Sequence, residues 1–463
     1  MSHNLDFRKL FDEFDSRTPY LNIGKIISSR GMVYEASFPR AVIGSNVDFV
    51  TEDGKQHPGE VVSIEKNCCL VMPYDEVVGI NSQTRIYLKE NHSQIYISPA
   101  MLGRVVDFNG KPIDGKGPIE MTEETEHRSI FGKPINPLER PPIRTPFDTG
   151  IKAINCFMTL GKGQRVAIMA GSGVGKSVLM GMMAKNSNAG VNVIALIGER
   201  GREVREFIES DLGPEGLKKS VIVVATSDSS PLIRVKAAYA ATTIAEYFRD
   251  QKNDVMLMMD SITRFAMANR EIGMSSGEPP GQKGYGPSVF AKLPKLMERA
   301  GTKTDAGSIT GIYTVLVEGG DMDEPIADSV RSISDGHIIL SRELAARNHY
   351  PAIDVLSSIS RVMTKVVTRE HRIVASHLRD LLASYRETED LINVGAYVKG
   401  TNPKVDKAIA VIDELEILLK QDVEESAIIE DLYDYMIEIA RKAEKAVTEE
   451  PVQPKRNLNI SRV

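Results

Sequence analysis

Residues 165–177 read RVAIMAGSGVGKS: an apolar run, a loop with three glycines, and then Lys176 and Ser177. A second apolar run starts at Val178, so the order is strand, glycine loop and helix, as a phosphate-binding loop requires. Glycines let backbone N–H groups turn toward phosphate oxygens, and the N-terminus of the following helix adds positive potential. The stretch favours a phosphate site over an ordinary strand-to-helix turn, with its loop formed by Gly171, Ser172, Gly173, Val174 and Gly175.

Three side chains extend this site toward phosphate and metal chemistry. Lys176 is placed to reach the β- and γ-phosphates, and the Ser177 hydroxyl is placed to bind Mg²⁺. Asp260 ends the apolar run 255–259, and the carboxyl ends of parallel strands face the ligand crevice. Many buried strands end in an Asp that has no functional role. An Asp at the end of a strand in the same sheet as a phosphate loop is more often a metal ligand, which favours that role for Asp260. Ser177 and Asp260 are therefore the candidate Mg²⁺ ligands.

Glu199 follows another central apolar strand, at the end of the stretch VIALIGE. A carboxylate there is placed to hold a water in line with the γ-phosphate. Arg200 is placed to fix that carboxylate or to touch phosphate. The alternative is a surface cluster of ion pairs, because the stretch 199–206 contains several more charged residues.

Composition sets the class of the chain. It has 463 residues, 42% hydrophobic and 26% charged, and a net charge of −6. No apolar run reaches 18 residues and the N-terminus lacks the apolar core of a secretory signal, so we expect a chain without a membrane-spanning helix. Three cysteines do not make a disulfide framework, which favours a reducing cytosolic compartment. The acidic balance argues against constitutive nucleic-acid binding.

The patterning predicts three folded parts. Short apolar runs from 23 to 96 predict a small β-barrel or sandwich. Strands that alternate with helical patterns after about residue 150 predict an α/β core with a parallel sheet. Three helical stretches then follow, at 370–386, 404–420 and 426–445. In the second of them the predicted buried face is formed by Val405, Ile409, Ile412 and Leu419.

The first residues form a separate segment. Between Leu5 and Phe14 the apolar residues Phe7, Leu10 and Phe11 recur at helical spacing between charged ones. A helix this short is marginal alone, so its phenylalanines must be buried somewhere. It either packs on its own domain or docks on a partner protein.

Several independent stretches resemble the catalytic subunits of the rotary and type III export ATPases. The resemblance covers roughly residues 20–440. It rests on AGSGVGKS (170–177) and on LGRVVDFNGKPIDGKGP (102–118), TGIKAIN (149–155), IGERGREV (197–204), MMDSITRFAMANREIG (258–273) and SSISRVM (357–363). Three further stretches, 197–217, 223–251 and 284–301, are most similar to the flagellar export branch.

The resemblance implies a fold and domain boundaries. The fold class is α/β: a RecA-like P-loop ATPase core with a parallel sheet, an N-terminal small β-barrel and a C-terminal helical domain. The expected parts are a docking helix (1–18), the barrel (19–97), the nucleotide-binding domain (98–365), the helical domain (366–447) and a flexible tail (448–463).

The resemblance also implies roles by matching position. Lys176 and the loop through Val178 hold ATP, with Mg²⁺ on Ser177 and Asp260. Glu199 is the catalytic carboxylate, where non-catalytic α-type subunits carry Gln. Three more roles come from the resemblance alone. Arg200 and Arg264 match positively charged positions at and behind the γ-phosphate. Arg361 matches an arginine finger that reaches a neighbouring subunit's site, and Tyr350 matches the aromatic that stacks on adenine.

Four positions depart from the family pattern. Ala170 stands for the usual first glycine of the loop, Asn155 for Asp, and Gly286 for Pro. Tyr397 is the single aromatic of the stretch 392–409, where F-type β subunits wall the base with phenylalanines. The first three leave the phosphate chemistry intact, whereas the last bears on selectivity for the base.

The resemblance implies a cytoplasmic homohexamer, peripherally associated with the export apparatus at the inner membrane. The implied partners are a stator-like negative regulator bound through residues 1–18, a central stalk-like export protein, an export gate, and export chaperones and substrates. No nucleic acid is expected. The leading hypothesis is an ATPase that energises flagellar export. The alternatives are the same motor in a virulence injectisome, an RNA-translocating ring and a nucleotide-binding subunit without turnover.

Overall fold

The computed structural model describes residues 23–38, 41–66, 68–90, 93–317 and 321–448, without the side chains of residues 90, 447 and 448. The predicted helix Leu5–Phe14 and the tail from residue 449 onward lie outside the described residues. Within the described part no helix is long and apolar enough to cross a bilayer. The described residues divide into two compact units: those within 1–143, 162–172 and 189–337 form the first, and those within 144–161, 173–188 and 338–463 form the second.

The first unit begins with a closed six-stranded barrel, so the prediction of a barrel or sandwich is confirmed as a barrel. The strand order is β1-β2-β5-β4-β3-β6, and every pair is antiparallel. Apolar residues from all six strands fill the centre of the barrel, among them Phe49, Val71 and Ile86. The strands are β1 (Ile23–Arg30), β2 (Val33–Ser37), β3 (Asn46–Val50), β4 (Gln56–Ile64), β5 (Cys69–Pro73) and β6 (Arg85–Glu90).

The same unit contains a parallel sheet of six strands in the order β12-β17-β15-β13-β14-β8, with β16 antiparallel on β17. The central strands are buried along almost their whole length, which explains their continuous apolar sequences. A two-stranded β7–β9 pair stands apart from this sheet. The strands are β7 (Gln94–Ile97), β8 (Val105–Val106), β9 (Glu126–Ser129), β12 (Arg165–Ala170), β13 (Val191–Glu199), β14 (Ser220–Thr226), β15 (Asp254–Asp260), β16 (Gly301–Thr302) and β17 (Ser308–Leu316).

Helices cover this sheet, and the longest is buried on nearly all sides. It begins at Pro231 after the N-cap Ser230, whose hydroxyl accepts a hydrogen bond from Ile233 N–H. It packs on β13, β14 and β15. The helices of the chain as far as residue 333 are α1 (Lys152–Phe157), α2 (Lys176–Asn186), α3 (Gly201–Glu206), α4 (Gly213–Lys218), α5 (Pro231–Asp250), α6 (Ile262–Ser275), α7 (Pro287–Met297) and α8 (Pro325–Ile333), of which α1 and α2 belong to the second unit.

A buried polar cluster joins the barrel to α5. The ammonium of Lys236, 2% exposed, bonds to the Glu60 carboxylate and the Tyr74 hydroxyl, and lies 3.4 Å from Asn46 Oδ1. Burial lowers the pKa of Lys236 and raises that of Tyr74. Because a buried charge is tolerated only when it is paired, this cluster fastens the barrel to the helix.

The second unit is mainly helical. Its longest helix runs for 25 residues from Arg369 to Asn393, and the next two form a bundle with it. The remaining elements are β10 (Pro146–Phe147), β11 (Leu160–Gly161), β18 (Gly336–Leu340, which begins in the first unit), β19 (Ile359–Ser360), α9 (Arg342–Ala346), α10 (Met363–Val366), α11 (Arg369–Asn393), α12 (Pro403–Leu419) and α13 (Ile429–Thr448).

One prediction about α12 is wrong in part. Val405 and Leu419 are buried as expected, but Ile409 is exposed and Ile412 is half-buried. The buried face instead includes Ala408, Val411, Leu415 and Leu418. The helix is apolar on more than one side, so spacing alone did not determine which stripe faces its neighbours.

Candidate functional site

The predicted phosphate loop lies between the end of β12 at Ala170 and the start of α2 at Lys176. Gly173 and Gly175 have φ angles of +77° and +84°, a region that L side chains rarely adopt. A Cβ on Gly173 would meet no atom within 4 Å, so the loop backbone borders open space there. Val174 between them is buried and anchors the loop. This is a backbone cradle that an oxyanion can enter at the N-terminus of a helix.

Ala170 shows why the missing first glycine does no harm. Its side chain is buried at the end of β12, and its carbonyl accepts a hydrogen bond from Val317 N–H at 3.0 Å. The residue therefore belongs to the sheet rather than to the open part of the loop.

Tyr350 lies against the loop. An ideal Cβ on Gly175 would be 3.5 Å from Cδ1 and Cε1 of the tyrosine ring, and the residue is 42% exposed. An aromatic face is thus available to a flat ligand next to the phosphate cradle. Only the family resemblance singled out Tyr350, since nothing in its local sequence marks it.

The register of the sheet brings Asp260 and Glu199 to one edge. β13 and β15 are neighbours, and Leu196 pairs with Asp260, so both carboxylates follow the carboxyl ends of adjacent strands. β12 is separated from β15 only by β17, which places the start of the phosphate loop about 10 Å from β15 at the usual strand spacing. The predicted parallel sheet is confirmed, and Asp260 ends one of its strands.

Asp260 is buried, and its Oδ1 accepts a hydrogen bond of 2.6 Å from the hydroxyl of Thr314 on β17. This contact orients the carboxylate. Nothing in the local sequence marks Thr314, because its partner lies 54 residues away in the chain.

Glu199 meets a second carboxyl group on α3. A hydrogen bond with the Glu199 side chain, followed by the nearby Arg200 guanidinium, holds the pKa of Glu203 below its ordinary value. Arg200 is 80% exposed and pairs with Glu203 at 3.1 Å. The structure therefore places Arg200 beside the carboxylate pair. Surface ion pairs of the alternative interpretation also exist, between Arg202 and Glu206 among others.

Arg264, on α6, packs against the turn that carries Glu199. A Cβ on Gly198, whose φ is +72°, would lie 2.9 to 3.2 Å from the Arg264 side-chain carbons, so only glycine allows this approach. The Arg264 Nε is buried without a hydrogen-bond partner. Arg264 forms no ion pair with any other described residue. A partly buried guanidinium with an orphaned N–H can donate a hydrogen bond to an anion.

Arg361 follows the short strand β19 and is exposed. Ser360 beside it donates a hydrogen bond to Thr159 O at 3.0 Å, which fixes the backbone at that point. The first unit holds Gly171, Ser172, Glu199, Arg200, Asp260 and Arg264; the second holds Gly173, Val174, Gly175, Lys176, Ser177, Val178, Tyr350 and Arg361.

The described residues contain no group of three or more His, Cys, Asp or Glu side chains that could hold a metal ion. Mg²⁺ does not need one, because it usually binds through one or two protein oxygens, water and substrate phosphates. One buried Asp and one hydroxyl after a phosphate loop fit that cation.

Two family models match the chain. Residues 150–360 match the nucleotide-binding domain of the ATP synthase alpha/beta family, and residues 367–438 match the T3SS EscN ATPase C-terminal domain. Among curated proteins, the flagellum-specific ATP synthase of Bacillus subtilis is 48% identical over 92% of this chain and 96% of its own length. The type 3 secretion system ATPase of Xanthomonas euvesicatoria is 46% identical over 91% and 94%.

The chain belongs to the flagellar and type III secretion ATPases. A solved structure of this family, the assembled ATPase EscN from the enteropathogenic E. coli type III secretion system, superposes with a TM-score of 0.85. It is 44% identical and covers 90% of this chain and 99% of that one. A second structure holds EscN in complex with its central stalk EscO, with a TM-score of 0.83, 43% identity and 90% and 99% coverage.

Membership of this family of ATPases confirms the resemblance, the fold class and the assignment as an ATPase. The match of residues 367–438 to the T3SS EscN ATPase C-terminal domain favours an export ATPase over an RNA-translocating ring. The family acts on a nucleotide.

Proposed function

We propose that this chain hydrolyses ATP with Mg²⁺ as a cytoplasmic homohexamer that energises export of flagellar proteins. The observation that carries the proposal is the position of the Tyr350 ring beside the phosphate cradle, 3.5 Å from where a Cβ on Gly175 would lie. A flat base and a polyphosphate fit side by side there, which is the shape of a nucleoside triphosphate.

Each candidate residue has one role in this proposal. Backbone N–H groups from Gly171 to Val178 and the Lys176 ammonium bind the phosphates, and Tyr350 stacks on the base. When bound on Ser177 and Asp260, Mg²⁺ supplies positive charge to the phosphate oxygens. The orphaned Arg264 N–H meets the γ-phosphate, and Arg200 steadies the carboxylates.

The chemical step is in-line attack of water on the γ-phosphorus. The Glu199 carboxylate orients the water and takes its proton as the new P–O bond forms and the bond to the β-phosphate oxygen breaks. Arg361 acts in trans, on the site of the neighbouring subunit, where the transition state gathers negative charge. A subunit alone is then nearly inactive.

The assembled EscN relative and its complex with a central stalk support a ring of six with a stalk-like partner. We further propose that residues 1–18 bind a stator-like regulator, and that the ring works at the membrane with an export gate, chaperones and substrates. The five parts 1–18, 19–97, 98–365, 366–447 and 448–463 are the proposed domains. Service in a virulence injectisome is the second candidate, favoured by the 46% identity to a type 3 secretion system ATPase.

The test is specific ATPase activity against protein concentration, with mass measured by light scattering. We expect a steep rise that follows a sixfold mass, and a loss of about 10³-fold or more in Arg361→Ala without loss of the hexamer. Arg372→Ala, which removes another exposed arginine of the second unit, is the matched control. Activity that does not depend on concentration and survives Arg361→Ala would overturn the trans site.

A further inference from the structure

Gln421 lies in the turn between α12 and α13, and is 6% exposed. Its side-chain amide uses both of its polar atoms on other segments of the second unit. Oε1 accepts from Lys152 N–H at 2.8 Å, and Nε2 donates to Gly150 O at 2.7 Å and to Glu425 O at 2.8 Å. Its backbone N–H donates to Tyr350 O at 3.0 Å. One residue thus joins the turn after α12, the start of α1 and the Tyr350 backbone.

The start of α1 is itself tied to the helix that carries the phosphate loop. Gly150 has a φ of +71°, and a Cβ there would lie 2.3 Å from Cβ of Asn186, the last residue of α2. No side chain fits between them, so the backbone at Gly150, whose carbonyl accepts the bond from Gln421, lies close to the end of α2. The Tyr350 ring lies near the other end of the same helix, 3.5 Å from where a Cβ on Gly175 would lie.

We infer that Gln421 is a positioning residue for the nucleotide base: it sets the distance of the Tyr350 ring from the phosphate loop. The inference rests on the proposed role of Tyr350 as the base-stacking residue. Gln421 contacts Tyr350 only through the backbone, so its side chain acts by holding residue 421 to the frame of α1 and α2. Only an amide offers an acceptor and two donors at this point.

A merely structural glutamine would lower stability and leave the kinetics unchanged, or would affect every ligand alike. A residue that positions Tyr350 has a different signature, because phosphate binding does not depend on the ring. The KM for ATP should rise while kcat stays the same. Inorganic tripolyphosphate, which has no base, should inhibit the variant and the wild type equally.

The experiment compares the full chain with Gln421→Ala, Gln421→Glu, Tyr350→Ala and the double variant Tyr350→Ala/Gln421→Ala. We expect both single Gln421 variants to raise KM for ATP by about fivefold, the weight of one hydrogen bond, with kcat within twofold. Gln421→Glu keeps the side-chain volume and the acceptor for Lys152 N–H but loses both donors, so it separates the loss of the donor contacts from the cavity that alanine leaves. The double variant should have the KM of Tyr350→Ala alone.

Gln164→Ala is the matched control, because Gln164 is also a buried glutamine and its Nε2 donates to Asp335 O at 3.0 Å. It should lower the melting temperature without changing KM. A proportional loss of ATP and tripolyphosphate affinity, or additive effects in the double variant, would overturn the inference about Gln421. An unchanged KM in Tyr350→Ala would instead refute the base-stacking role itself, and the inference with it.

Discussion

Asn155, where the family pattern has Asp, supports a prediction whose sign and size follow from its surroundings. It is fully buried, and its Nδ2 donates to Asp148 Oδ1 at 2.7 Å and to Ala427 O at 3.3 Å. Its Oδ1 accepts from the backbone N–H and the hydroxyl of Thr149. Asp148 in turn accepts from Ile429 N–H at the start of α13. The Asn155→Asp substitution replaces one donor by an oxygen and puts two carboxyl groups in contact.

The expected cost at pH 7 is about 4 kcal/mol of unfolding free energy. Loss of a hydrogen bond to a charged acceptor accounts for about 2 kcal/mol, and the uncompensated buried charge for a similar amount. One of the two carboxyl groups must then keep a proton that the unfolded chain releases at neutral pH. Folding of the variant therefore takes up a proton, and its deficit shrinks as the pH falls toward 5.

Thermal unfolding at pH 7.5 and pH 5 measures both effects. We expect the melting temperature of Asn155→Asp to fall by about 10 °C at the higher pH and by clearly less at the lower one. Asn269→Asp is the control: Asn269 is equally buried, but its Oδ1 accepts from the Lys292 ammonium at 3.0 Å, so the new charge gains a partner. A loss in Asn155→Asp no larger than in the control, or one independent of pH, would refute the reasoning.

Three further predictions concern the site and the second unit. Glu199→Gln should keep ATP binding and lose turnover by about 10²-fold or more, whereas Lys176→Ala should lose tight ATP binding. Equilibrium titration measures the binding, and phosphate release measures the turnover. A wild-type rate of phosphate release in Glu199→Gln would contradict the role of Glu199 in activating water. Gly198→Ala should displace Arg264 and lower kcat about tenfold, because the added methyl group has no room beside the Arg264 side chain. A kcat within twofold of the wild type would show that activity does not depend on the close packing of Arg264 on Gly198. Burial lowers the pKa of His371, so the unfolded chain binds a proton at this residue before the folded chain does, and stability should decline as the pH falls below about 6.5. His371→Asn should make that decline less steep. If the variant and the wild type have the same pH profile of the melting temperature, His371 is not the group responsible.

The α/β core followed closely from sequence. The predicted strand 165–169 became Arg165–Ala170, and 254–259 became Asp254–Asp260, because long apolar runs in central parallel strands are bounded by polar turns. β8 was not predicted, since two valines in a Gly- and Pro-rich stretch carry no period; they form a strand only by pairing with β14.

Helix ends depended on distant contacts. The last helix was predicted from residue 426 but begins at Ile429, whose N–H is bound by Asp148, 281 residues earlier. The helix predicted to end at 386 continues to Asn393, and Gly395 follows it with a φ of +70°. No window along the sequence contains the first of these signals.

The residues of the candidate site also differ in how far the sequence could predict them. Motif and spacing alone pointed to Lys176, Ser177, Glu199 and Asp260, because phosphate and metal chemistry needs those groups at strand ends. Tyr350, Arg264 and Arg361 came only from the resemblance. Thr314, Gly198 and Gln421 were not predicted at all, since each acts through a segment far away in the sequence.

The Lys236 cluster gives the barrel a mechanical role. Separating the barrel from α5 would break the Lys236–Glu60 ion pair and its hydrogen bonds, so we expect the two to move together. α5 packs directly on β13 and β15, whose ends carry Glu199 and Asp260. A displacement of the barrel should therefore be passed on to the two strands whose ends carry Glu199 and Asp260.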